Sequence, residues 1–203
     1  LLVLCMAMTF LPASAAAASV SPFGDVQSTD WYYDEVQYVY ENGLMSGTSA
    51  TTFSPDTTTT RGMIVTILHR LEGTPAVSTS GTFADVTAGR YYTDAVEWAS
   101  ANGIVGGYGN GRFGPNDPIT REQMAAMLHR YAQYKQADLS ASADLSGYTD
   151  AGAIRPYAEA AMAWANGAGL ITGVSDTTLQ PRGNSTRAQV ATILMRFCQK
   201  VAE

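Results

Sequence analysis

The feature that most constrains this chain is that it contains one unit written three times. Laying Phe23 on Phe83 aligns two stretches without a gap. Asp25 then meets Asp85, Gly43 meets Gly103, Gly47 meets Gly107, Phe53 meets Phe113, Pro55 meets Pro115, Arg61 meets Arg121 and Arg70 meets Arg130. A third copy starts at Tyr148, carries Asp150 in the aspartate position and has one extra residue before Tyr157. Beyond it, Trp164 falls on Trp98 and Tyr38, Gly169 and Gly173 on the glycine pair, and Leu179, Pro181, Arg187 and Arg196 complete the register. A unit of about fifty residues is marginal on its own. Repeated units gain a core by packing on their neighbours. The expected fold is therefore mainly α: three tandem helix-loop-helix repeats packed as one pseudo-threefold helical bundle, at 20–75, 83–134 and 148–200.

Within each unit the pattern predicts a first helix over 31–42, 91–102 and 157–168, ended by a glycine able to take the left-handed C-cap conformation. A loop rich in Gly, Asn and Pro follows, and its Phe53, Phe113 or Leu179 is expected to plug into its own unit's core. The second helix starts at Thr60, Thr120 and Thr186. Its apolar residues recur at helical spacing (Ile64, Ile67, Leu68, Leu71; Met124, Met127, Leu128, Tyr131; Val190, Ile193, Leu194, Phe197), one stripe facing a core. Thr120 with Gln123 and Thr186 with Gln189 are capping boxes. Met63 breaks the box in the first unit, whose helix start is expected to be the loosest. The joins at 72–82 and 132–147 are polar and rich in small residues, and read as linkers.

Residues 1–19 do not fit the repeat. An apolar run over 1–11, then Pro12 and the small residues 13–19, reads as a secretory signal peptide without its basic start, cleaved between Ala15 and Ser19. The apolar run is too short to span a bilayer. Removing Cys5 leaves Cys198, so no internal disulfide is expected in an exported chain, and Cys198 reads as a buried thiol on an apolar helix face. The net charge of −6 excludes nucleic acid, whose binders need a basic face. The same charge disfavours electrostatic docking on anionic lipid. Of the 12 basic residues only Lys135 and Lys200 are lysines, a bias toward the planar fork that suits carboxylates.

Taken together, the F-x-D-V run, an aromatic six residues past the aspartate, G-[LI]-x-x-G, a loop with F-x-P, and T-R opening an apolar helix resemble the surface-layer homology (SLH) domain. The resemblance covers Phe23 to about Cys198. It implies a pseudo-threefold bundle with grooves between units, and non-covalent attachment of an exported protein to the bacterial cell wall. The implied partner is a secondary cell-wall polysaccharide bearing pyruvate ketals, or modified peptidoglycan. The family's arginine falls on Arg61, Arg121 and Arg187, its early aspartate on Asp25, Asp85 and Asp150, and its aromatic on Trp31, Tyr91 and Tyr157. The Glu closing the family's T-R-A-E signature is Met63, Gln123 and Gln189 here.

The residues themselves fit an anion site. A cation at the first turn of a helix adds to the dipole and to N–H groups left free there. An arginine can hold a ketal carboxylate with two parallel bonds, and an aromatic beside it offers a flat face to a sugar ring. The competing role for the arginines is a salt bridge to Asp25, Asp85 or Asp150 that staples loop to helix. The aspartates are better suited to bracing a loop than to touching a ligand. Arg121, with an intact box and with Asp85, Tyr91 and a glycine-rich loop in its own unit, is the arginine whose loss is expected to weaken binding most.

The recurring Arg70, Arg130 and Arg196 suit a helix C-terminus, and Trp98 and Trp164 suit the core. His69 and His129 share a repeat position with Met195, which argues against catalysis or metal. No loop has the alternating carboxylates of a calcium site, and no unit carries a unique acid pair for glycoside hydrolysis. No enzyme, cofactor or metal is expected. The alternatives to anchoring are a lattice or protein-interaction module, and an accessory module of a wall-glycan enzyme.

Overall fold

A computed structural model describes residues 21–78 and 80–202. The signal-peptide segment lies outside the described residues. The elements are α1 (Tyr33–Glu41), α2 (Arg61–Leu71), α3 (Thr93–Ala101), α4 (Arg121–Tyr134), 3-10 turns at Ala151–Ala153 and Pro156–Ala158, α5 (Glu159–Gly167) and α6 (Arg187–Phe197). A π-helical turn, Cys198–Ala202, follows α6. Among the described residues β pairing is limited to isolated bridges. The fold is mainly α, in three repeats.

Each second helix starts where its threonine predicts. Thr60, Thr120 and Thr186 are extended N-caps whose hydroxyls accept the N–H of Met63, Gln123 and Gln189. In the second and third repeats the glutamine side chain returns a bond to the N-cap N–H, so α2 has one bond fewer than its counterparts. The first helices are shorter than the sequence suggests. They start two residues after the expected Trp31, Tyr91 and Tyr157, which leaves those aromatics in the entry turn rather than on the helix. Gly43, Gly103 and Gly169 follow these helices with φ of 67°, 69° and 68°, the left-handed exit their residue type permits. The second glycine of each pair has a different reason. A Cβ on Gly47, Gly107 or Gly173 would press into the ring of Phe23, Phe83 or Tyr148 at 2.5, 2.7 and 2.9 Å.

The repeats are joined in a ring. The second helix of each packs on the first helix of the next: α2 on α3, α4 on α5, and α6 back on α1. At the centre three backbone bonds close a cycle: Thr59 donates to Ser185 O (3.0 Å), Ser185 to Ile119 O (3.0 Å) and Ile119 to Thr59 O (2.9 Å). One continuous core runs through all three repeats and includes Phe53, Phe113, Leu128, Leu179 and Phe197. The loop plugs sit as expected, Phe53 against Phe23 and Phe113 against Phe83, with ring centroids 5.4 and 5.5 Å apart. Trp98 and Trp164 are buried, as is Cys198.

The joins are more than tethers. Thr82 donates both its N–H and its hydroxyl to buried Glu97, and Ala143 N–H reaches Ala163 O on α5. Val77, Leu139 and Leu145 pack on the core. The polarity of these segments concealed a few apolar residues that strap each join to the bundle.

Each aspartate braces the loop of its own repeat. Asp25 accepts the N–H of Phe53 and Ser54 (2.8 and 2.7 Å), Asp85 those of Phe113 and Gly114 (2.8 and 2.9 Å), and Asp150 those of Leu179 and Gln180 (both 2.8 Å). These bonds hold a turn whose second residue is left-handed even where it is not glycine, with φ of 60° at Ser54 and 49° at Gln180. Burial raises the Asp85 carboxyl, but the two N–H groups and Arg112 outweigh it and hold it below the usual range. For Asp150 the N–H of Leu179 is the largest influence and the shift is again downward. A carboxylate with a lowered folded value contributes stability that is fully present above its unfolded value, near pH 4, and lost as pH falls through the folded value. Acid titration should therefore unfold the chain increasingly below about pH 4. Asp85→Asn should reduce that acid dependence, and a melting curve that stays flat from pH 5 to pH 2 would contradict the assignment.

Candidate functional site

The same loops are gripped from the other side by the arginine of the preceding repeat. Arg61 donates Nε–H to Phe113 O (2.9 Å) and Nη2–H to Gly106 O (3.2 Å). Arg121 donates Nε–H to Leu179 O (2.7 Å) and Nη2–H to Thr172 O. Arg187 donates to Phe53 O (2.7 Å) and Ser46 O (2.6 Å), closing the ring onto the first repeat. The peptide of each plug residue is thus held at its N–H by its own aspartate and at its C=O by a neighbour's arginine. The arginine–aspartate salt bridge considered from the sequence is replaced by this shared grip, and Asp85 instead pairs with Arg112 at 3.5 Å.

The helix-end contribution to anion binding also needs correction. The N–H groups of Arg61 and Gly62 are occupied by Asp117 O and Pro115 O, those of Arg121 and Glu122 by Gly183 O and Pro181 O, and those of Arg187 and Ala188 by Thr57 O and Pro55 O. With the third N–H bonded to the threonine, the first turn has no donor to offer. What remains for an anion is the guanidinium. The three arginines are only 4%, 6% and 7% exposed. Burial pushes each guanidinium down from its ordinary value, with nearby phenols and aspartates opposing, and the charge is retained at neutral pH. Their Nε and Nη2 are engaged and their Nη1 has no bonding partner among the described residues.

Three grooves run beside these guanidiniums, and each is assembled from all three repeats. The first, of about 460 Å³, joins Arg61 to the loop carrying Tyr108, to Gln123, Met127 and Arg130 of α4, and to Arg155 and Tyr157. The second, of about 160 Å³, joins Arg121 to Thr172–Val174, to Gln189 and Arg196 of α6, and to Trp31. The third, of about 170 Å³, joins Arg187 to Ser46 and Gly47, to Met63 and Arg70 of α2, and to Tyr91. Trp31, Tyr91 and Tyr157 stand 64%, 58% and 46% exposed, unusual for large apolar rings and suited to stacking on a sugar.

The sequence pairing of arginine and aromatic inside one unit is therefore incorrect. Arg121 shares its groove with Trp31, not with Tyr91 or Asp85, so the grounds for ranking it first do not hold. Asp25, Asp85 and Asp150 are not among the residues lining these grooves. Arg70, Arg130 and Arg196, read from the sequence as helix-end charges, each line one groove as a second cation. Arg130 is not at a helix end at all, since α4 continues to Tyr134 where Gly73 stops α2. Tyr108 is a further addition, lying over Arg61 at 4.9 Å and donating to Asp117 (3.0 Å). Its signal was present: it is an aromatic set among glycines in the loop "GGYGNGRF", ahead of the plug residue Phe113. Among the described residues no cluster of side chains could hold a metal, and no helix is long and apolar enough to cross a membrane.

Comparison with known proteins matches residues 22–62, 82–125 and 147–191 to the S-layer homology domain. The chain is 37% identical over its whole length to an endoglucanase of Bacillus sp. (strain KSM-635), covering 22% of that protein. It is 32% identical over 88% of its length to an amylopullulanase of Thermoanaerobacterium thermosulfurigenes, covering 10% of it. It is also 37% identical over 53% of its length to a surface-layer 125 kDa protein of Lysinibacillus sphaericus, covering 10% of it. The chain thus spans less than a quarter of the length of each.

Proposed function

The chain belongs to the S-layer homology domain family, and from that premise we propose that it anchors an exported protein by seating a pyruvylated secondary cell-wall polysaccharide in the grooves between its repeats. Family membership and the surface-layer relatives support wall attachment and a cell-surface location in general terms. One observation carries the finer reading. A chain of net charge −6 gathers seven of its arginines, two or more per groove, beside three exposed aromatic rings. Buried guanidiniums with an open Nη1 suit a carboxylate fixed to a sugar, and the rings suit the sugar face. In this reading Arg61, Arg121 and Arg187 with Trp31, Tyr91 and Tyr157 contact the ligand, while Asp25, Asp85 and Asp150 hold the loops that shape the site. Modified peptidoglycan carrying an equivalent anion would fit the same chemistry.

The relatives named as glycan-degrading enzymes support a second layer to this proposal, in which the anchored cargo is a polysaccharide hydrolase. The repeats themselves then contribute location, not catalysis. Co-sedimentation tests the anchoring step. The chain should pellet with native walls of a Gram-positive bacterium and stay in solution with walls stripped of secondary polysaccharide. Equal pelleting with both would contradict the proposal.

A further inference from the structure

The three grooves are unequal, and the largest has two of its wall residues bonded by a side chain the repeat pattern does not require. Glu122 is the second residue of α4, where the other repeats have Gly62 and Ala188. It is 1% exposed, yet its carboxylate has partners that all belong to the third repeat. Tyr157 Oη donates to Oε1 at 3.1 Å, Arg155 N–H donates to Oε2 at 3.1 Å, and Arg155 Nε lies 3.8 Å from Oε1. Arg155 and Tyr157 lie at the end of the stretch 150–157 in which the third repeat carries its extra residue. The insertion that would displace this aromatic is thereby braced by a carboxylate from the neighbouring repeat.

Gly62 and Ala188 have no side chain that could do the same for the other two grooves. Their aromatics, Tyr91 and Trp31, are correspondingly more exposed than Tyr157. The braced groove is also the largest, and Arg155 adds a third guanidinium beside Arg61 and Arg130.

We propose that Glu122 is a positioning residue that makes the Arg61 groove the tight site of the bundle for an anionic sugar, the other two grooves binding more weakly. This rests on the anchoring reading above. A wall already in place loses less conformational freedom on binding than one that must be ordered, and ordering each free side chain weakens binding several-fold. Tyr157 and Arg155 are both held before any ligand arrives.

The test is calorimetric titration of the chain with short pyruvylated fragments of purified wall polysaccharide, alongside Glu122→Ala, Glu122→Gln and Tyr157→Phe. The wild-type chain should show one tight site and a weaker class. E122A should weaken the tight site by roughly tenfold and leave the weaker class unchanged. E122Q, which keeps an acceptor but not the charge, should recover part of the loss. A merely structural role would move both classes together. Y157F removes the braced hydroxyl without touching α4, and should show the same selective loss even if E122A folds poorly. A tight site that survives both E122A and Y157F overturns the inference alone. A wild-type chain that binds no fragment overturns the anchoring reading and this inference with it.

Discussion

Leu128→Ala should destabilise the entire bundle by about 2–5 kcal/mol and do so in a single transition. Leu128 lies on α4, is fully buried, and belongs to the core that is continuous through all three repeats. Truncating it removes apolar contact and leaves a cavity that the ring cannot close by moving one repeat, because each repeat is held by two neighbours. At this chain length a loss of that size lowers the midpoint by roughly 2–4 °C per kcal/mol. Calorimetry on the wild type and the variant decides it. Three separable transitions, with only one shifted, would mean that the repeats fold independently and that the shared core has little energetic weight.

Arg187→Ala is expected to cost about 3–5 kcal/mol, more than the same change at Arg61 or Arg121. The first and second repeats are joined by the chain, as are the second and third. The third and first are joined only by contacts, and Arg187 makes two of them to residues 134 and 141 positions away. Its guanidinium also lies over Phe53 at 4.4 Å. Alanine would leave the carbonyls of Phe53 and Ser46 without their charged donor at a buried seam. Arg187→Lys should restore little, since one ammonium cannot span two carbonyls in the geometry of the fork. Denaturant titration gives the magnitude, and faster amide exchange in α1 and α6 would locate the damage at the seam. A loss below about 1 kcal/mol, the level of an ordinary surface contact, would show that the seam is held by helix packing instead.

The residues that announced the fold did so through local rules. A threonine before an apolar stripe, a glycine after a helix and an aromatic in a loop each satisfy neighbours only a few positions away, so the helices, caps and plugs could be placed by spacing. The site could not. Arg61 is aligned with Asp25 and Trp31 in its own repeat, yet it grips the loop held by Asp85 and faces Tyr157, two repeats on. Alignment of copies shows that positions are equivalent. It does not show which copy's loop a side chain will reach. The N–H groups at the head of each second helix follow the same rule, because their carbonyl partners come from another repeat. Glu122 is legible in the sequence only as a departure from the pattern, and its contacts with Arg155 and Tyr157 come from another repeat.

The arginines are poor probes of binding, because each also holds the ring together. The exposed aromatics are better, since Trp31, Tyr91 and Tyr157 can be shortened with less disturbance to the core. The most direct measurement is therefore titration of purified pyruvylated wall polysaccharide into the wild-type chain and into the triple variant Trp31→Ala, Tyr91→Ala, Tyr157→Ala, with a melting curve for each. The expected result is an affinity lowered by roughly fivefold or more at each groove in the triple variant, which still melts in a single transition, given one ring per groove and stacking worth roughly 1 kcal/mol or more per ring. A folded triple variant that binds as tightly as the wild type would contradict the placement of the ligand in these grooves.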